Sequence, residues 1–230
     1  MINNNLGPGI YLSNLNNVMI TNSDISYNIV EYNASQDGIP QGGGITILNT
    51  GLFIIETTTL SNNSGPWAGG IRLYQTTFQI DECIFKHNSG TWPSSDAADA
   101  GGANLSPGSD SGTSTLTNST FINNSSSGVG GGLNASAGFG SSVIIDNSDF
   151  INNYAARNGG GCYLNYDVII KNSLVSSNNA DDGGGIFAIG GLIDSVKIVY
   201  NHAISRGGGI FVDDRNVITN YVSLISNHST

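Results

Sequence analysis

Two short signatures alternate eight times along this chain, and that alternation limits its fold more than any other feature. The first is a glycine run followed by two apolar residues spaced two apart. Runs ending at Gly9, Gly44, Gly70, Gly102, Gly132, Gly161, Gly185 and Gly209 lead into Ile10, Ile45, Ile71, Ala103, Leu133, Cys162, Ile186 and Ile210. Two residues further stand Leu12, Ile47, Leu73, Leu105, Ala135, Leu164, Ala188 and Val212. A period of two marks one face of a short strand. The second signature is an apolar anchor followed three residues later by asparagine. The anchors are Ile25, Leu60, Phe85, Phe121, Phe150, Val175, Ile198 and Leu224, and the asparagines are Asn28, Asn63, Asn88, Asn124, Asn153, Asn178, Asn201 and Asn227.

Counting back from each anchor adds two more fixed offsets. Five residues earlier come Ile20, Ile55, Ile80, Leu116, Ile145, Ile170, Ile193 and Thr219; two earlier come the small residues Ser23, Thr58, Cys83, Ser119, Ser148, Ser173, Val196 and Val222. The odd step of three between these sets implies a corner rather than a straight strand. Asn22, Asn118, Asn147 and Asn172 fall on that corner. Each cycle of 23 to 36 residues therefore holds three inward-facing segments joined by corners. No stretch carries the period of a useful amphipathic helix, and a composition rich in Asn, Gly, Ser and Thr disfavours one. A chain that turns corners in every cycle and stacks its cycles is a parallel β-helix. Eight coils at roughly 4.8 Å each make a rod of roughly 40 Å.

The conspicuous residues then have scaffold explanations. Asparagines at equivalent corners bond their amides from coil to coil as a ladder, and asparagine tolerates the left-handed backbone of a tight corner. Glycine meets the same need without a steric cost. "FINNYAARNGGG", from Phe150 to Gly161, reads as core plug, ladder rung, corner and entry to the next coil.

The alternation of "GGGI" at Gly42, Gly183 and Gly207 with "FINN" at Phe121 and Phe150 resembles the repeats of the chlamydial polymorphic outer membrane proteins. The resemblance covers essentially the whole chain. It implies an extracellular, adhesive passenger built as a right-handed parallel β-helix, although no autotransporter barrel follows "LISNHST". The expected fold is thus all-β, a right-handed parallel β-helix of about eight coils with three short strands per coil. We expect one domain over residues 1–230, uncapped or part of a longer array.

Charge narrows the partners. The net charge of -10 argues against nucleic acid, which needs a basic footprint. No apolar run is long enough for a membrane span. Cys83 and Cys162 lie three coils apart, roughly 14 Å, beyond disulfide reach, so both should be buried free thiols. His87, His202 and His228 fall near anchor asparagines and show no metal-binding spacing. We expect neither metal nor cofactor.

β-Helices also host polysaccharide lyases and hydrolases, whose sites need outward carboxylates beside Arg, Lys or His. The outward residues after the glycine runs are Tyr11, Thr46, Arg72, Asn104, Asn134, Tyr163, Phe187 and Phe211, with no carboxylate among them. The acidic pairs Asp181–Asp182 and Asp213–Asp214 belong to corners or loops. No catalytic residue is assigned. A cleft of outward carboxylates beside Arg72, Arg157 or Arg206 would favour an enzyme.

Two outward features suggest contact surfaces. Six residues before the anchors stand Met19, Ile54, Gln79, Thr115, Ile144, Ile169, Leu192 and Ile218, a mostly apolar row. It is covered by the chain's own loops, or reflects strand propensity alone, or is met by another chain. Tyr163, Phe187 and Phe211 should stack on consecutive coils, as a plain aromatic ladder or as a face for sugar or protein. Among the N-x-S/T acceptor patterns, Asn33, Asn62, Asn104 and Asn134 are the expected glycosylation sites; Asn124 and Asn227 are reserved for the ladder.

The sequence therefore leads to a non-enzymatic, extracellular structural or adhesive β-helix, glycosylated and able to stack head to tail into a fibril. Expected partners are another copy of the chain or a cell-surface or carbohydrate ligand, with no nucleic acid and no membrane span. The alternative is a carbohydrate-active enzyme or carbohydrate-binding module on the same scaffold.

Overall fold

Every offset read from the sequence becomes a column of stacked side chains. Ile45 stands between Ile10 and Ile71 in register, and the same row continues through Ala103, Leu133, Cys162 and Ile186 to Ile210. The anchor row runs from Ile25 through Leu60, Phe85, Phe121, Phe150, Val175 and Ile198 to Leu224 with no slip. The computed structural model describes residues 1–31, 41–91, 99–213 and 216–230. Among them every strand pair is parallel, so the chain is a parallel β-helix, right-handed and of about eight coils.

One coil shows the order of elements. The first sheet receives Ile45–Leu48, the second Leu52–Glu56, the third Thr59–Ser61 and the fourth Ser64–Gly65. The four sheets hold eight, eight, nine and seven strands. The first three are the expected segments. The fourth is an addition: its strands are as short as Ser89–Gly90 or Tyr154–Ala155, too short and small-sided to show a pattern. "YAAR" is therefore partly strand rather than only corner. The ninth strand of the third sheet, Ile2–Asn3, places Ile2 under Ile25 and brings Asn5 to Asn28, a partial coil ahead of the Gly9 run.

The interior is a dry stack. Phe85, Phe121 and Phe150 are fully buried, with ring centroids 4.4 and 5.0 Å apart and planes within 3° and 16° of parallel. Offset stacking of this kind adds to plain area burial. Beside it runs the asparagine ladder. From Asn28 to Asn201, each amide Nδ2 donates to the next asparagine's Oδ1 at 2.9–3.1 Å. The same Nδ2 donates to the anchor carbonyl of the preceding coil, as Asn124 does to Phe85 at 2.9 Å. The backbone N–H donates to the next Oδ1 as well, at 2.8–3.0 Å. Each amide thus spans three coils with both of its polar ends engaged, which is what makes a buried polar group tolerable.

The left-handed corners belong to the neighbours of these asparagines. In "FINN" the first asparagine takes the positive φ, 54° at Asn152, while Asn153 makes the rung. The corner three residues before each anchor is left-handed in all eight coils, with φ between 47° and 54°, including Thr57, Glu82, Ser195 and Tyr221. A second ladder follows that corner: Cys83 N–H donates to Ser119 Oγ, Ser119 N–H to Ser148 Oγ, and Ser148 N–H to Ser173 Oγ. The glycine runs serve close approach. A Cβ on Gly102 would lie 2.5 Å from the Gly132 carbonyl oxygen and 2.7 Å from the Phe121 ring. The chain passes there against the next coil with no room for a side chain.

Candidate functional site

With the interior filled, chemistry must lie on the outer faces of the sheets. On the first sheet the outward row is Tyr11, Thr46, Arg72, Asn104, Asn134, Tyr163, Phe187 and Phe211, in register throughout. Its middle is not open surface. Thr46 is fully buried, and Arg72, Asn104, Asn134 and Phe187 are at most 5% exposed. The chain ahead of each glycine run folds over them: Gly42 N–H donates to Thr46 Oγ1, and Asn104 Nδ2 donates to the Trp67 carbonyl.

Asn104 and Asn134 thus point outward on adjacent coils as expected, but both are buried. A glycan on either residue would have to displace the covering segment. Asn62 is half-buried at a left-handed corner with φ 55°. Asn33 lies outside the described residues.

Arg72 is the unusual member of the row. Its Nη1 donates to Asn104 Oδ1 at 2.5 Å and to the Leu73 carbonyl at 3.3 Å, while its Nε is buried without a partner. The guanidinium lies 5.4 Å from the Trp67 ring centroid and 5.1 Å from that of Tyr74. No carboxylate pairs with it among the described residues. Burial pushes its pKa down to about 10. A cavity of about 240 Å³ opens here, lined by Trp67, Arg72, Asn134, Tyr163 and Asn165 among others. Asn165 Oδ1 is a second buried polar atom without a partner.

Further along the row the aromatic stack forms as expected. Tyr163 and Phe187 are stacked at 5.1 Å and 9°, and Phe187 and Phe211 are tilted by 37° at 5.3 Å. Arg206 lies over Phe211 at 4.2 Å and grips Asp182 with two bonds, Nε at 3.0 Å and Nη2 at 2.6 Å. Ser205 Oγ donates to Asp181 Oδ1 at 2.6 Å. Phe187 is sealed, so the stack is a covered ladder with Tyr163 and Phe211 half-exposed at its ends.

The outward row of the second sheet is different. Met19, Ile54, Gln79, Thr115, Ile144, Ile169, Leu192 and Ile218 stack in register, and none of them is buried. Two residues on, Glu56, Asp81, Asp146 and Asp194 form an acidic margin, with Lys171 bound to Asp146 at 3.2 Å. From Ile144 to Ile218 the row is a ribbon of partly or fully exposed apolar side chains, and Gln79 and Thr115 separate it from Met19 and Ile54.

The remaining candidates are structural. Cys83 and Cys162 are buried free thiols; burial pushes Cys83 up to about 11 and raises Cys162 well above the usual thiol range. His202 lies against His228 in the fourth sheet, their rings tilted by 43° with centroids 4.4 Å apart, and His87 sits at a left-handed corner. The described residues contain no group of three or more His, Cys, Asp or Glu side chains able to hold a metal. They contain no helix long and apolar enough to cross a membrane.

Stacked parallel coils with stapled corners define a β-solenoid. The family described as the right-handed beta helix region matches residues 1–139, and the chain belongs to it. The coils continue beyond that stretch to Ser229, in register except for a shift between Ala180 and Asp182 in the fourth sheet. Neither curated proteins nor solved structures gave a match.

Proposed function

We propose that the chain is a non-enzymatic extracellular scaffold of structural or adhesive type, a rigid rod that meets its partner through the second sheet. The observation that carries this reading is the unbroken apolar row from Ile144 through Ile169 and Leu192 to Ile218, held in register, with Ile218 exposed and the other three partly exposed. Surface apolar groups scattered singly need no explanation, but a contiguous ribbon rimmed by charge is the pattern of an interaction surface. The resemblance of "GGGI" and "FINN" to the chlamydial surface repeats supports an extracellular, adhesive setting. The partner is a second copy of the chain or a cell-surface or carbohydrate ligand. Asn62 is the acceptor best suited to a glycan.

The test is a triple variant, Ile144→Thr, Ile169→Thr and Leu192→Thr, which keeps strand propensity and removes the ribbon. It should lose self-association in sedimentation and retention on cell or glycan surfaces, with circular dichroism unchanged. Wild-type behaviour in both assays would overturn the reading.

The Arg206–Asp182 pair supports a second reading, a carbohydrate-active enzyme, because it sets a carboxylate beside an arginine on an outer face. Both Asp182 oxygens are occupied by the guanidinium, an arrangement that joins two coils rather than presenting a proton donor. Release of new reducing ends from a polysaccharide, lost in Asp182→Asn, would establish the enzyme instead.

A further inference from the structure

We infer that the corner between the first and second sheets, at the fifth and sixth coils, binds a quaternary ammonium group, seated between Phe139 and Tyr166 with its charge toward Asp167. The site shares no residue with the apolar ribbon, so the inference goes beyond the function proposed above and does not depend on it.

A difference in corner length makes the site. Ser136 pairs with Asn165 and Val143 with Val168, so the fifth coil takes six residues, 137–142, where the sixth takes two, Tyr166 and Asp167. At this step lies a cavity of about 470 Å³, lined by Ala137, Gly138, Phe139, Gly140, Tyr166 and Asp167. Its size is usual for a small-ligand site. Both corners are tied down by their backbones. Ser141 N–H donates to the Gly138 carbonyl at 3.1 Å, Asp110 N–H to the Phe139 carbonyl at 2.8 Å and Val168 N–H to the Tyr166 carbonyl at 2.8 Å.

Three features of the lining select the ligand. The first is aromatic surface left in water. Phe139 is 87% exposed, which leaves both faces of its ring largely open, and Tyr166 is 58% exposed. Open rings beside a cavity favour an apolar group, and their π-faces favour a cation. The second is charge. Asp167 lines the cavity, and Asp110 lies against its Gly140 wall, where an added Cβ would fall 2.2 Å from Asp110 Oδ1. No lysine or arginine lines it, and the chain carries a net charge of -10. Such a site repels anions and draws cations. The third is a shortage of acceptors. The carbonyls of Gly138, Phe139 and Tyr166 each already accept an N–H, which leaves the Asp167 carboxylate. A lysine ammonium or an arginine guanidinium brings several N–H donors that would exchange water for too few partners. A quaternary ammonium has no N–H to satisfy, and its methyl groups suit the rings.

The experiment is saturation-transfer NMR on the full chain with choline, read at the ligand's methyl protons and titrated for Kd. The controls are dimethylbutanol, the neutral isostere with carbon in place of nitrogen, and methylguanidinium, a cation with N–H donors. Choline should bind with Kd below about 5 mM. Both controls should bind at least about fivefold more weakly, within the range that cation–π contact gives. Phe139→Leu, and Tyr166→Asn, which suits the left-handed backbone there, should each weaken choline by about threefold or more. Asp167→Asn should weaken choline and leave dimethylbutanol unchanged, a split that a structural disturbance would not produce. All three residues are exposed, so the variants should fold, with circular dichroism as the check. If one does not, choline against its isostere on the unaltered chain still decides. Vesicles of phosphatidylcholine and of phosphatidylglycerol distinguish the source: retention on the first alone marks a lipid headgroup, and choline binding without retention marks a free solute. The inference is overturned if choline does not bind, or if dimethylbutanol or methylguanidinium binds as tightly.

Discussion

Two adjacent asparagines in "FINN" do unlike work, and substitution should separate them. Asn153 takes two N–H groups of Asn124 on its Oδ1 and donates to Asn178 and to the Phe121 carbonyl. Asn153→Ala strands buried donors on one side and acceptors on the other, at about 1–3 kcal/mol for each unsatisfied group. We expect a loss of about 3 kcal/mol or more in urea unfolding. Asn152 holds a left-handed corner and donates its Nδ2 to Asn123 Oδ1 only on the exposed face, so Asn152→Gly should be near neutral and Asn152→Ala should cost about 1 kcal/mol. The cysteines divide in the same way. Cys83 occupies a row of hydroxyls and donates to the Asp81 carbonyl, so Cys83→Ser should change stability by less than about 1 kcal/mol. Cys162 stands between Leu133 and Ile186 in an apolar column, and Cys162→Ser should be clearly destabilising. Both thiols should resist a thiol reagent in the native protein and react in denaturant.

Among the elements, the glycine runs are the least replaceable. Gly102→Ala puts a methyl group against the backbone of the next coil and against Phe121, two neighbours that cannot yield independently. We expect a loss of about 1–3 kcal/mol from overpacking, read from the urea midpoint. Gly112, where an added Cβ meets nothing, is the control for crowding, although its φ of 77° brings strain of its own. The strands of the first three sheets were legible in the sequence because each carries a large apolar residue at a constant offset. The fourth sheet was not, since pairs such as Ser64–Gly65 and Ser89–Gly90 have no side chain to betray a face. The outward row of the first sheet was read correctly from strand alternation, but its burial was not. Whether Arg72 and Asn104 face water depends on where the segment holding Trp67 folds back, and that segment has no periodicity.

For the whole molecule, pH offers a test of the buried thiols together. Burial raises both in the folded state, so above about pH 9 the unfolded chain releases protons that the native chain keeps. Stability should then fall as pH rises, at up to about 1.4 kcal/mol per pH unit for each thiol. For Cys83 the decline ends near pH 11, where the native thiol also ionises. Urea midpoints taken from pH 8 to 10.5 should show it, and Cys83→Ser should flatten the slope. The repeat made the rod legible because every coil must agree with its neighbours. The groove at Arg72 was less so, because the residue types that supply its two orphan atoms do not recur at the equivalent positions of the other coils. The ladder has a consequence beyond stability. Every rung from Asn28 to Asn201 sends its backbone N–H and one amide N–H to the Oδ1 of the following coil, while its own Oδ1 accepts from the preceding one and its second amide N–H returns to that coil's anchor carbonyl. The column is therefore an arrow. A coil added at either end, from the same chain or another copy, can extend it only in one sense, so any assembly built through the ladder must be polar, with unlike tips and growth that differs between them.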